Sequence, residues 1–140
     1  MENIALAKQF NDEVRKLIEF RIQELGETAE TRMMLTKIRV VTATKPFLIF
    51  DLWCQYVFPY EKYIRERDET AWTLTETQNS EMFKSFGACD TWKLLSKESK
   101  SRIWEILHRL NTLCLGIYKK RRQYGAMDAV SMLMENLMSK

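Results

Sequence analysis

The chain is poor in the residues that bend a backbone: 140 residues hold four glycines and two prolines. A sheet protein needs a turn every ten or so residues, so this scarcity argues for long helices. Histidine is nearly absent as well, with His108 alone. The three cysteines, Cys54, Cys89 and Cys114, are odd in number and widely spaced, with no Cys-x-x-Cys pair. That set fits buried thiols in a reducing compartment better than a disulfide framework. The N-terminal stretch Met-Glu-Asn-Ile-Ala has no basic start and no apolar core, so no signal peptide is expected and the protein is read as intracellular. The most apolar run, from Phe47 to Phe58, is too short to cross a bilayer and is interrupted by Asp51 and Gln55.

What is present is ordinary for a globular domain: 46% hydrophobic and 29% charged residues. Apolar residues recur at helical spacing from Glu2 to Leu25, through Leu6, Phe10, Val14, Leu17, Ile18 and Ile22. Gly26 supplies a stop and Thr28 a cap for a second helix reaching to about Val41, with Met34, Leu35, Ile38 and Val41 inward. Thr44-Lys45-Pro46 reads as the start of a third helix, apolar on most sides and therefore central. Pro59 ends it, and a short helix runs from Tyr60 to about Arg67. Residues 68–90 read as an irregular connection with one short helix near Ser80–Phe86, closed by Gly87. Asp90 is expected to cap a short turn, and Ser96 to cap the longest helix, Lys97–Arg122. That helix carries the stripe Ile103, Leu107, Leu110, Cys114 and Ile117. A final amphipathic helix follows Gly125, with Met127, Val130, Leu133, Met134 and Leu137 on one line. The expected fold is all-α: residues 1–140 as one orthogonal or bundle-like array of five to seven helices.

Catalysis requires a base, a nucleophile or a metal in a defined cluster. His108 has no partner marked in the sequence, and reads as a boundary histidine beside the apolar stripe. His108 and Cys114 lie on different helix faces, and no second pair completes a metal set. The acidic run Glu66, Asp68, Glu69 abuts Arg65 and Arg67 and reads as a solvated charge run. No enzyme, cofactor or metal is expected.

Two surfaces remain as partner-binding candidates. The charge is lopsided: residues 1–70 carry net −1, residues 71–140 net +4, and the segment Lys93–Arg122 net +7. Four consecutive cations, Lys119, Lys120, Arg121 and Arg122, close the long helix, where they complement its dipole. Their mutual repulsion would also be relieved by an anion: nucleic acid, an anionic membrane surface or an acidic protein patch. The second candidate is the methionine-rich final helix, with Met132, Met134, Leu137 and Met138 as an adaptable apolar face.

The middle of the chain carries Pro59-Tyr60-x-x-x-Ile64, Asp68-Glu69-x-x-Trp72, Trp92-x-x-Leu95 and Ile103-Trp104-x-x-Leu107-x-x-Leu110. This spacing, over residues 59–110, resembles the short helical proteins encoded by nucleocytoplasmic large DNA viruses. The resemblance implies a small protein made in an infected cell and placed in the host cytoplasm or the virion. Minor capsid proteins, which join larger capsid subunits to one another or to an inner membrane, are of this kind. It carries no functional residue across. The expected function is a non-enzymatic structural or adaptor protein that meets protein subunits of a larger assembly, or copies of itself. The alternative is a nucleic-acid-associated protein using residues 119–122.

Overall fold

A computed structural model describes residues 4–123 and Leu137. Among these residues there are seven α-helices, three 3₁₀ segments and no strand. Helix α1 (Ile4–Leu25) is followed by α2 (Ala29–Thr44) and α3 (Leu48–Tyr56). A 3₁₀ turn at Phe58–Tyr60 leads into α4 (Glu61–Arg65), and a second at Glu69–Thr73 precedes α5 (Thr75–Gln78) and α6 (Glu81–Ser85). The third, Cys89–Leu94, leads into α7 (Lys97–Gln123). The chain is all-α, as its shortage of turn residues requires.

The caps explain most of the boundaries. Thr28 accepts from the Thr31 amide at 3.1 Å while Thr31 Oγ1 accepts from the Thr28 amide at 2.8 Å, so two orphan donors of α2 are met reciprocally. Ser96 Oγ accepts from the Ser99 amide at 3.1 Å at the start of α7. Gly26, at φ +90°, ends α1 in the left-handed region where a side chain would be strained.

Three boundaries differ from expectation. Helix α2 does not stop at Val41 but runs three residues further, and α3 begins only at Leu48. Thr42 and Thr44 donate back to the carbonyls of Ile38 and Val40, at 2.6 and 3.0 Å, and the β-branched end of α2 is held by tertiary contact, with Val41 buried and Thr42 tied to α1. Asn11, buried on α1, donates from Nδ2 to Thr42 Oγ1 and to the Pro46 carbonyl, both at 3.1 Å, and fixes the turn that follows. The stretch 68–90 is more ordered than expected, with two short helices after a 3₁₀ turn. Asp90 caps nothing: the Cys89–Leu94 turn begins ahead of it, with Ala88 at its N-cap and no side-chain cap.

Helix α3 is the hub, as its apolar circumference foretells, with Ile49, Phe50, Trp53 and Cys54 buried. Trp53 meets Phe10 of α1 edge-on at 5.7 Å and Phe86 at 6.2 Å. Its Nε1 donates to Asn111 Oδ1 of α7 at 2.8 Å, so one side chain joins three helices. Helices α1 and α7 pack against each other in opposite directions, with Glu24 near Ser99 and Glu13 near Arg109. A second aromatic cluster joins this one through Phe83, which meets Phe86 at 5.4 Å and Trp72 at 5.6 Å. Trp72 stacks on Trp104 at 5.3 Å and 17°, and Trp92 closes the triangle at 5.4 and 5.1 Å.

Candidate partner-binding surface

Helix α2 has two apolar faces. Thr31, Met34, Ile38 and Val41 are buried against the core. Ala29, Met33, Thr36 and Val40 follow at steps of four, three and four, which places them one above another on the opposite, outer side. Met33 is 66% exposed and Val40 52%. This stripe lines a groove of about 610 Å³ together with Met34, Val41 and Glu81 of α6. Glu30 and Glu81 stand on the rim beside Arg32 and Lys37. An apolar floor within a rim of both charge signs matches protein interfaces. Its two carboxylates balance its two cations, so the groove offers phosphate no net positive charge. The signal for this face was present in the sequence as a second apolar line one residue behind Met34 and Val41. Periodicity alone does not say which of two lines the fold covers.

The basic end of α7 is divided. Lys119 and Lys120 are exposed. Arg121 folds back: its Nη1 meets Asp51 Oδ1 at 3.3 Å, and its guanidinium lies over Phe47 at 4.6 Å and Phe50 at 5.6 Å. Its side chain is only 12% exposed. The side chain of Arg122 falls outside the described residues. Arg121 is thus a structural clasp between α3 and α7. Replacing it by alanine should cost about 1–2 kcal/mol, from the lost ion pair and the two uncovered rings. Lys119→Ala and Lys120→Ala should stay within about 0.5 kcal/mol, all read as shifts in urea midpoint.

Of the methionine-rich face, Met132, Met134 and Met138 lie outside the described residues. Leu137 packs against the core and lines a shallow groove with Phe58, Pro59 and Leu115. His108 is exposed on that groove, which Glu61, Lys62 and Arg65 also line. No hydrogen bond joins the His108 side chain to any of these residues among those described, and the Glu61 carboxylate instead faces Arg65 at 3.6 Å. No cluster of three or more metal-ligating side chains occurs among the described residues, and none of their helices is long and apolar enough to cross a membrane.

The acidic run has a structural use that its exposure conceals. Asp68 accepts from the amide and hydroxyl of Thr70, which holds its carboxyl below the usual range. Glu69 accepts from Trp92 Nε1 and stands 3.8 Å from Lys100, tying the Glu69–Thr73 turn to α7. No known protein family, curated protein or solved structure matches this chain.

Proposed function

We propose that this chain is a structural or adaptor protein working through its helical surfaces in a larger assembly, with the outer face of α2 as its docking site. The observation that carries the reading is the Met33/Val40 stripe, two large apolar side chains left in water on one helix face. The resemblance of residues 59–110 to helical viral proteins extends the proposal to a minor capsid or virion component. The mixed rim around the groove favours a protein partner over nucleic acid, and Arg121 is engaged with Asp51 rather than offered to an anion.

Joint substitution Met33→Glu and Val40→Glu is the test. Both side chains are exposed, so the thermal midpoint should move by no more than a few degrees. Two carboxylates pressed into an apolar interface should weaken association by at least ~100-fold. Sedimentation of the purified chain, and co-sedimentation with particles from the producing cells, reads the effect. A wild-type chain that stays monomeric and free of assembled particles would count against the proposal. So would a double variant that associates as the wild type does. Salt-sensitive binding to duplex or single strands, lost in Lys119→Ala/Lys120→Ala, would instead favour the nucleic-acid reading.

A further inference from the structure

The hub helix and the longest helix meet through sulfur. Cys54 on α3 and Cys114 on α7 are both without solvent exposure, and their Sγ atoms stand 3.2 Å apart. Either sulfur can donate to the other, so the contact is a thiol–thiol hydrogen bond between two free cysteines. The contact adjoins the Trp53–Asn111 hydrogen bond, and Arg121 and Asp51 clasp the same two helices further along. The two helices beside the pair are therefore held together by independent contacts. A bonded S–S distance of about 2.05 Å requires the sulfurs to close by roughly 1 Å. Cys89 has no such neighbour: it is half-buried, and its Sγ donates to the Thr77 carbonyl at 3.4 Å.

We infer that Cys54 and Cys114 are a disulfide site, oxidised by exchange with a small disulfide such as oxidised glutathione while the core is still open. In the first step one thiol loses its proton and attacks the small disulfide, releasing one glutathione thiol. In the second, the other cysteine thiol, also deprotonated, displaces the remaining glutathione. The cysteines lose two electrons and two protons in all; glutathione disulfide takes the electrons and leaves as two thiols. The timing follows from burial. Neither sulfur is reachable in the folded chain, and burial, aided by the neighbouring Cys54, pushes the Cys114 thiol well above its ordinary range. A small disulfide is thus kept from both sulfurs once the core has closed. The bond would close a long loop containing α4, α5 and α6 and lock α3 to α7.

The test refolds the full chain from denaturant into glutathione buffers running from fully reduced to strongly oxidised. Intact mass should fall by two hydrogens at the oxidised end, and a non-reducing peptide map should link Cys54 to Cys114. The oxidised form should melt on the order of 10 °C above the form refolded with excess reductant. Cys89→Ser should leave the link in place. The native chain in the same oxidised buffer should react at least ~100-fold more slowly than the chain held in denaturant. Three free thiols at the oxidised end, a link through Cys89, or glutathione adducts alone would overturn the assignment. Equal rates for native and denatured chains would overturn the role given to burial. Wild-type protein is enough for each decisive measurement, so the outcome does not hang on whether a Cys54 or Cys114 variant folds.

Discussion

Trp53→Ala should remove about 3–5 kcal/mol of folding free energy, the range found when a buried aromatic is truncated in a packed core. The whole stability of such a domain is about 5–15 kcal/mol, so a loss of this size removes from about a fifth to all of it. The effect is large because Trp53 works in three directions: against Phe10 of α1, against Phe86, and by its indole N–H toward Asn111 of α7. The two contributions can be separated. Trp53→Phe keeps an apolar ring but leaves Asn111 Oδ1 buried without its donor, a penalty of about 1–3 kcal/mol. In the Trp53→Phe/Asn111→Leu pair both ends of the hydrogen bond are gone. The loss should then be smaller than the sum of the two single variants, by more than ~0.5 kcal/mol. Urea unfolding followed by far-ultraviolet circular dichroism reads all four proteins. Simple additivity would show that the bond between α3 and α7 contributes no coupling.

Trp104→Ala should be nearly as severe, again about 3–5 kcal/mol, but its consequences should be local first. Trp104 is 5% exposed and is the surface of α7 on which Trp72 and Trp92 rest. The Glu69–Thr73 and Cys89–Leu94 turns have few other anchors to the long helix, so amide protection should fall there before it falls in α1 or the middle of α7. Hydrogen exchange with residue-level resolution checks the order of loss. Uniform loss of protection across the chain would show that the tryptophan cluster is no separate unit. The members of the triangle are not equivalent. Trp92 Nε1 donates to Glu69, whereas Trp72 Nε1 is buried without a partner. Trp72→Phe therefore removes no hydrogen bond and should be milder than Trp92→Phe.

Legibility in the sequence followed the range of the interactions involved. Helices α1 and α7 were readable because their stabilising pattern is local: apolar residues at steps of three and four, with Gly26, Thr28 and Ser96 marking ends. The hub role of α3 followed from its composition. The end of α2 was misread because Val40, Val41 and Thr42 disfavour helix on propensity alone, and what offsets that preference is distant: Val41 is buried and Thr42 accepts from Asn11 of α1. The stretch 68–90 looked irregular since its order comes from distant partners: Trp72 rests on Trp104, and Glu69 on Trp92 and Lys100. Arg121 was grouped with its basic neighbours because its acceptor, Asp51, lies 70 residues away. The α2 groove was missed for a different reason. Met33 and Val40 are as apolar as the buried line beside them, and burial is a property of the assembled fold.

The separation of the tryptophans gives the molecule a built-in optical contrast. Three of its four indoles sit with ring centroids 5.1–5.4 Å apart, close enough for their transition dipoles to mix, while Trp53 touches none of them and stands against Phe10 and Phe86. The near-ultraviolet dichroism of the trio depends on the mutual tilt of its rings, and the emission of Trp53 depends on exclusion of water from the hub. Two regions of one small domain can therefore be followed by light without any label. Whichever surface meets a partner, a rearrangement of the turns at Glu69–Thr73 and Cys89–Leu94 would register in a different signal from a loosening of α3.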